Sequence, residues 1–163
     1  MKTLAAPWDT ATDGRQSAAA REICRGAGRL LQAYGYAPLS EVTLANGRRA
    51  DLMGLSEAAE IWIVEIKSCL DDFRVDQKWP QYREFCDRFF FAVGPTFPCE
   101  VLPLDTGLII ADRYGGDILR PAPEHKLPGA RRRTLTVKLA RTAALRLQAA
   151  SDPERGLDGL AQA

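Results

Sequence analysis

The run Ile61-Trp62-Ile63-Val64-Glu65-Ile66-Lys67 is the most apolar in the chain, and it closes on two charges. An uninterrupted apolar run of this length reads as a central strand of a sheet covered on both faces. Side chains alternate along a strand, so Ile61, Ile63, Glu65 and Lys67 share one face while Trp62, Val64 and Ile66 share the other. Glu65 and Lys67 therefore project side by side at the end of a buried element. Burying such charges costs several kcal/mol per ion unless they are paired or bind something. Upstream, Asp51 opens the otherwise apolar run Asp51-Leu52-Met53-Gly54-Leu55. If these two runs are antiparallel neighbours, Asp51 faces Glu65.

The other elements fall around this strand. Ile23, Ala27, Leu30, Leu31 and Tyr34 recur at helical spacing, which predicts a helix from about Arg15 to Tyr34 that stops at Gly35. Arg21, Arg25 and Arg29 form a basic stripe along it. Strands are expected over 41–44 and 48–55, with Asn46-Gly47 as a hairpin turn between them. A second helix is expected over 76–87, with Asp76 as N-cap and Pro80 in its first turn. Strands follow at 88–93 and 106–111. A Gly/Pro-rich stretch, 114–130, leads to a helix over about 131–150. This order is α-β-β-β-α-β-β-α, a mixed β-sheet flanked by helices in an α/β domain over 15–150. Residues 1–14 are expected to be a loose leader and 151–163 a frayed tail.

A length of 163 residues suits one domain with a sizeable core. A net charge of +1 excludes a uniformly basic protein of histone type and an acidic disordered one. The charge is unevenly placed. Residues 113–146 hold nine basic residues against two acidic ones, whereas the remainder holds thirteen against nineteen. Such a distribution sets a basic stretch, suited to phosphates, beside an acidic body suited to a metal. Cys24, Cys69, Cys86 and Cys99 have no CxxC spacing, and His125 is the sole histidine, which argues against a zinc finger or a haem-attachment site. Pro7 and Asp9 interrupt the start before a secretory apolar region forms. No stretch approaches the roughly 18 apolar residues of a membrane helix. The expectation is a cytoplasmic protein with reduced thiols and no membrane partner.

Two adjacent carboxylates stay ionised together only with a cation between them. Hard oxygen ligands suit Mg²⁺ or Mn²⁺. A lysine two residues on can serve an attacking water or stabilise charge on a phosphate. Together these roles describe metal-assisted phosphodiester hydrolysis. The acidic-x-Lys triplet alone is weak, since Glu124-His125-Lys126 repeats it in the Pro-rich stretch. Its place at the end of a buried strand, with Asp51 on the strand before, strengthens it.

Asp51 followed by Glu65-Ile66-Lys67, on this frame, resembles the PD-(D/E)XK nuclease superfamily. The segments Arg48-Arg49-Ala50-Asp51-Leu52, Ile63-Val64-Glu65-Ile66-Lys67-Ser68, Asp72 to Tyr82 and Cys86 to Val93 resemble the MmcB family of bacterial DNA repair proteins more closely. The likeness spans about residues 15–150. It implies a restriction-endonuclease-like fold and a metal-dependent DNA nuclease, with Asp51 and Glu65 as ligands of Mg²⁺ (or Mn²⁺) and Lys67 as the catalytic lysine. Many members add an acid from the first helix. Glu22 matches it, and equally suits a surface partner for Arg25 or Arg29. Related nucleases carry Gln-xxx-Tyr after the catalytic strand; Lys78 and Tyr82 keep the spacing with Lys in the Gln place, and Ala50 stands where the motif's proline would.

DNA is the implied partner, held through its backbone phosphates by Lys78, Tyr82, Arg21, Arg25, Arg131, Arg132 and Arg133. Other repair proteins are possible partners, and a homodimer is a possible assembly. Trp62 and Phe89-Phe90-Phe91 are expected in the core, and His125 in solvent. Trp79 is either a packing anchor or a surface for stacking on a base. Cys69 is expected to pack, and Asp71 and Asp72 to serve a loop or cap. Two rival readings stand beside the nuclease: a non-catalytic module that binds nucleic acid or a partner, and a structural Glu65–Lys67 ion pair.

Overall fold

The computed structural model describes residues 17–152. The expected leader and the tail beyond residue 152 lie outside the described residues. In chain order the elements are α1 (Ala18–Ala33), β1 (Tyr36–Thr43), β2 (Arg49–Ser56), β3 (Ile61–Lys67) and α2 (Leu70–Val75). A 3₁₀ helix (Trp79–Phe85) then precedes β4 (Arg88–Val93), β5 (Gly107–Ala111), β6 (Gly116–Arg120) and α3 (Gly129–Ser151). The six strands form one open mixed sheet in the order β1-β2-β3-β4-β5-β6. Pairing is parallel for β3–β4 and β4–β5 and antiparallel for the other three neighbours.

β3 lies inside the sheet with every residue buried. Its alternation holds: Trp62, Val64 and Ile66 join Ile23, Ala27, Leu30 and Leu31 of α1 on one face. Ile61 and Ile63 meet Tyr82, Phe85, Leu135 and Leu139 on the other. Ser17 caps α1 by accepting from the Ala20 N–H at 3.1 Å, and Gly35 follows at φ +82°. Gly47, at φ +81°, makes the expected hairpin turn.

Three expectations need correction. No single helix spans 76–87. α2 ends at Val75, Asp76 leaves the helical region at φ −88°, ψ 85°, and a 3₁₀ helix starts at Trp79. The tighter winding stacks residues three apart on one face, and Trp79, Tyr82 and Phe85 use it to pack on the sheet. β1 starts at Tyr36, ahead of the expected Glu41, because Pro38 is tolerated on an edge strand. The Gly/Pro-rich stretch contains a strand, β6, closing the far edge.

α3 is mostly exposed and buries only Leu135 and Leu139. At about 1.5–3 kcal/mol per buried leucine this is a thin apolar footing, and an ionic clasp reinforces it. The Arg132 guanidinium donates to both oxygens of Asp87, at 2.6 and 2.7 Å. Asp87 is 2% exposed and also accepts from the Ile61 and Leu127 amides. Burial pushes the Asp87 carboxyl up, but the Arg132 and amide hydrogen bonds outweigh it and hold it below its ordinary range. β3, the loop before α3 and α3 itself thus converge on one carboxylate.

Candidate active site at the end of the central strand

The β2–β3 ladder is regular from Leu55↔Ile61 to Leu52↔Val64. At the next rung the two acidic side chains take over. The Asp51 N–H donates to Glu65 Oε1 at 3.1 Å, and the Ile66 N–H donates to Asp51 Oδ2 at 2.8 Å. Asp51 and Glu65 therefore meet, as the antiparallel register predicts. The same level is irregular in β1. Leu39 and Val42, three residues apart, lie on one side of the sheet, as do Ala50 and Met53, so alternation slips by one at Glu41 and Asp51. Glu41 sits at φ 53°, a conformation costing of order 1–3 kcal/mol for a non-glycine. Arg146 of α3 holds it there by donating to the Ser40 and Glu41 carbonyls.

Glu65 is 4% exposed. Burial, then the neighbouring Asp51 charge, push its carboxyl well above the ordinary range. Asp51 is also raised, by burial, against the lowering effects of the Ile66 amide and the Lys67 and Arg49 charges. A proton or a cation relieves such a pair. Lys67, 7% exposed, pairs with neither acid. Its Nζ lies 2.7 Å from Asp76 Oδ2, while Asp76 Oδ1 accepts from the Lys78 N–H at 3.1 Å. The structural Glu65–Lys67 ion pair is therefore not formed. Ser68 donates to the Asp72 carboxylate, and that hydrogen bond, ahead of opposing burial, keeps Asp72 low.

Asp51, Lys67, Ser68, Asp72 and Asp76 open onto a cleft of about 560 Å³, whereas Glu65 is buried. Asp51, Ile66, Lys67 and Ser68 line its floor; Asp72, Val75, Asp76, Gln77 and Lys78 form a wall; Arg48, Ser17 and Ala20 complete the rim. Arg48 Nε donates to Gln81 Oε1 at 2.7 Å. A carboxylate at an open cleft, with a second, buried one hydrogen-bonded to its backbone amide, suits Mg²⁺, which keeps several waters and is commonly held by only one or two carboxylates. Asp72 and Asp76, also in the cleft, are engaged by Ser68 and Lys67, and the third acid expected from the first helix is not gathered there. Glu22 lies on the exposed surface of α1, and among the described residues no group of three or more His, Cys, Asp or Glu is placed to hold a metal ion.

The expected nucleic-acid contacts divide. Lys78 is exposed at the cleft rim. Arg21 and Arg25 are exposed on α1, and Arg133 on α3. Tyr82 is buried, and its hydroxyl donates to the Arg49 carbonyl at 2.9 Å, so it braces β2 beside Asp51. Arg132 is committed to Asp87. Arg131 donates to the Glu84 carbonyl at 2.9 Å and lies over the Phe85 ring.

Trp62, Phe89, Phe90 and Phe91 are buried and His125 is exposed, as expected. Trp79 is a packing anchor, stacked on Phe89 with ring centroids 5.6 Å apart and covered by Arg83. Cys69 is exposed rather than packed. Sequence reasoning gives Asp76 only as a helix N-cap and gives Arg48 and Asp87 no role of their own. For Asp76 a signal existed: a lysine ending a buried strand needs a carboxylate, and the next segment supplies three.

A family model described as DNA repair protein MmcB-like matches residues 8–154. Among solved structures the chain is similar to the SPO1766 protein of unknown function from Silicibacter pomeroyi. The two share 47% identity with a TM-score of 0.83, over 86% of this chain and 97% of that one. No curated protein matches the chain. Among the described residues no helix is long and apolar enough to cross a membrane.

Proposed function

The chain belongs to the MmcB-like DNA repair family, and from that premise we propose that it is a divalent-cation-dependent nuclease of the PD-(D/E)XK type, hydrolysing DNA phosphodiester bonds. The observation that carries this reading is the Asp51–Glu65 pair, in which Glu65 is buried and Asp51 reaches an open cleft beside Lys67. Bound there, Mg²⁺ or Mn²⁺ would supply Lewis acidity toward the phosphate and an acidified water. Asp51 and Glu65 would hold it. Lys67 orients the attacking water or offsets charge developing on the phosphate. Arg48 and Lys78, on the rim, bind the flanking backbone, which makes affinity fall with salt.

A second reading has its own support. Each carboxylate already accepts an amide of the opposite strand, so the pair could serve only to close the diverging ladder, in a module that binds nucleic acid or a repair partner without cutting. The readings separate in a cleavage assay on labelled single-stranded, nicked and duplex DNA with Mg²⁺ or Mn²⁺. The nuclease cuts at least one substrate only with the cation. Lys67→Met, whose partner Asp76 lines the cleft and keeps the Lys78 N–H, remains folded and lowers the rate by about 10²-fold or more. Salt-sensitive binding with no cation-dependent cutting on any substrate would leave the binding module.

A further inference from the structure

We infer that Asp76 is a positioning residue: it holds the Lys67 ammonium away from the Asp51–Glu65 pair and so keeps that pair open to a cation. This rests on the proposed cation site. Lys67 and Glu65 are two residues apart on one strand and share a face, and the ammonium is a mobile positive charge that acts on both acids. A flexible four-carbon stem lets it reach several partners. Left to itself it would pair with the buried acids, where the Coulombic gain is large, and occupy the cation's place.

Asp76 prevents this from the opposite wall of the cleft. Its Oδ2 takes Lys67 Nζ at 2.7 Å. Its Oδ1 is fixed by the Lys78 N–H at 3.1 Å, so the carboxylate cannot follow the lysine across. The Ser68–Asp72 hydrogen bond ties the same segment to the end of β3 a second time. Lys67 is then oriented toward the cleft without being bound to the acids.

The test is a Mn²⁺ titration of the purified chain, with free ion read by electron paramagnetic resonance. Asp76→Asn keeps the acceptor for the Lys78 N–H and loses the charge that holds Lys67. Its Mn²⁺ affinity should fall about tenfold or more, while circular dichroism shows a folded protein. Lys67→Met added to Asp76→Asn should restore affinity to within about threefold of wild type, a coupling that loss of one remote charge would not produce. Lys67→Met should have a much smaller effect beside an intact Asp76. Unchanged affinity in Asp76→Asn, or a double variant as weak as Asp76→Asn, overturns the inference while sparing the cation site. A wild-type chain that binds no Mn²⁺ removes the site and the inference together.

Discussion

Asp87 and Asp51 carry the same side chain, and burial raises both, yet their carboxyls shift in opposite directions. The difference lies in their partners. Asp87 faces a bidentate guanidinium and two amides, whereas Asp51 faces another acid across the ladder. Removing the Asp87 charge leaves Arg132 only neutral acceptors such as the Ala59 and Leu127 carbonyls, so Asp87→Asn should destabilise the fold by about 3 kcal/mol. The pH dependence has a definite sign. A carboxyl lowered in the native state stabilises above its unfolded value, and that contribution is lost as pH falls through the lowered native value. Urea titrations from pH 5 downward should therefore show wild type losing more stability than Asp87→Asn. Parallel losses would show that the clasp contributes nothing.

The elements divide by how local their causes are. α1, β2, β3 and β4 were legible because periodicity, a Gly35 stop and an Asn46-Gly47 turn are written in adjacent residues. The segment 70–85 was not, because Asp76 is drawn out of a helix by Lys67 across the cleft, a partner that local propensity does not reveal. β6 escaped for a related reason: its five residues sit among glycines and prolines and gain strand structure by pairing with β5. Of the site, the acids and Lys67 were legible, being charges where burial makes charge costly. The internal uses of Arg132 and Tyr82 were not, since a basic or aromatic residue looks alike in sequence whether it faces solvent or a buried acceptor.

α1 also offers a test at its own scale. A Cβ on Gly26 would lie 1.9 Å from the Asp112 carbonyl oxygen, against backbone that cannot rotate away; a Cβ on Gly28 meets nothing within 4 Å. Ala gains about 1 kcal/mol over Gly in helix propensity at either position. Overpacking against backbone costs about 1–3 kcal/mol or more, so the clash wins at Gly26 alone. Chemical denaturation should find Gly28→Ala stabilised and Gly26→Ala destabilised. Equal effects would mean that α1 does not approach the β5–β6 turn as closely as described.

For the whole molecule, a near-neutral net charge conceals an arrangement. Basic residues concentrate in 113–146 while the acidic excess lies in the remainder, which holds Asp51, Glu65 and Asp76. Part of the basic stretch is structural: Arg132 and Arg146 fasten α3 to the body. Arg146 at the same time holds the Glu41 distortion opposite Asp51, so the helix that carries positive charge also supports the strand level of the acids. The central claim is that Asp51 and Glu65 form a cation site and do more than close the ladder. Thermal melting with and without Mg²⁺ at neutral pH, for wild type and Glu65→Gln, tests it most directly. Glutamine keeps the acceptor for the Asp51 N–H and removes the like charge. The account predicts that wild type gains several degrees with Mg²⁺, as ligation of the native state requires. Glu65→Gln should melt at or above metal-free wild type and gain nothing. A wild type indifferent to Mg²⁺, or a Glu65→Gln variant that responds equally, would contradict it.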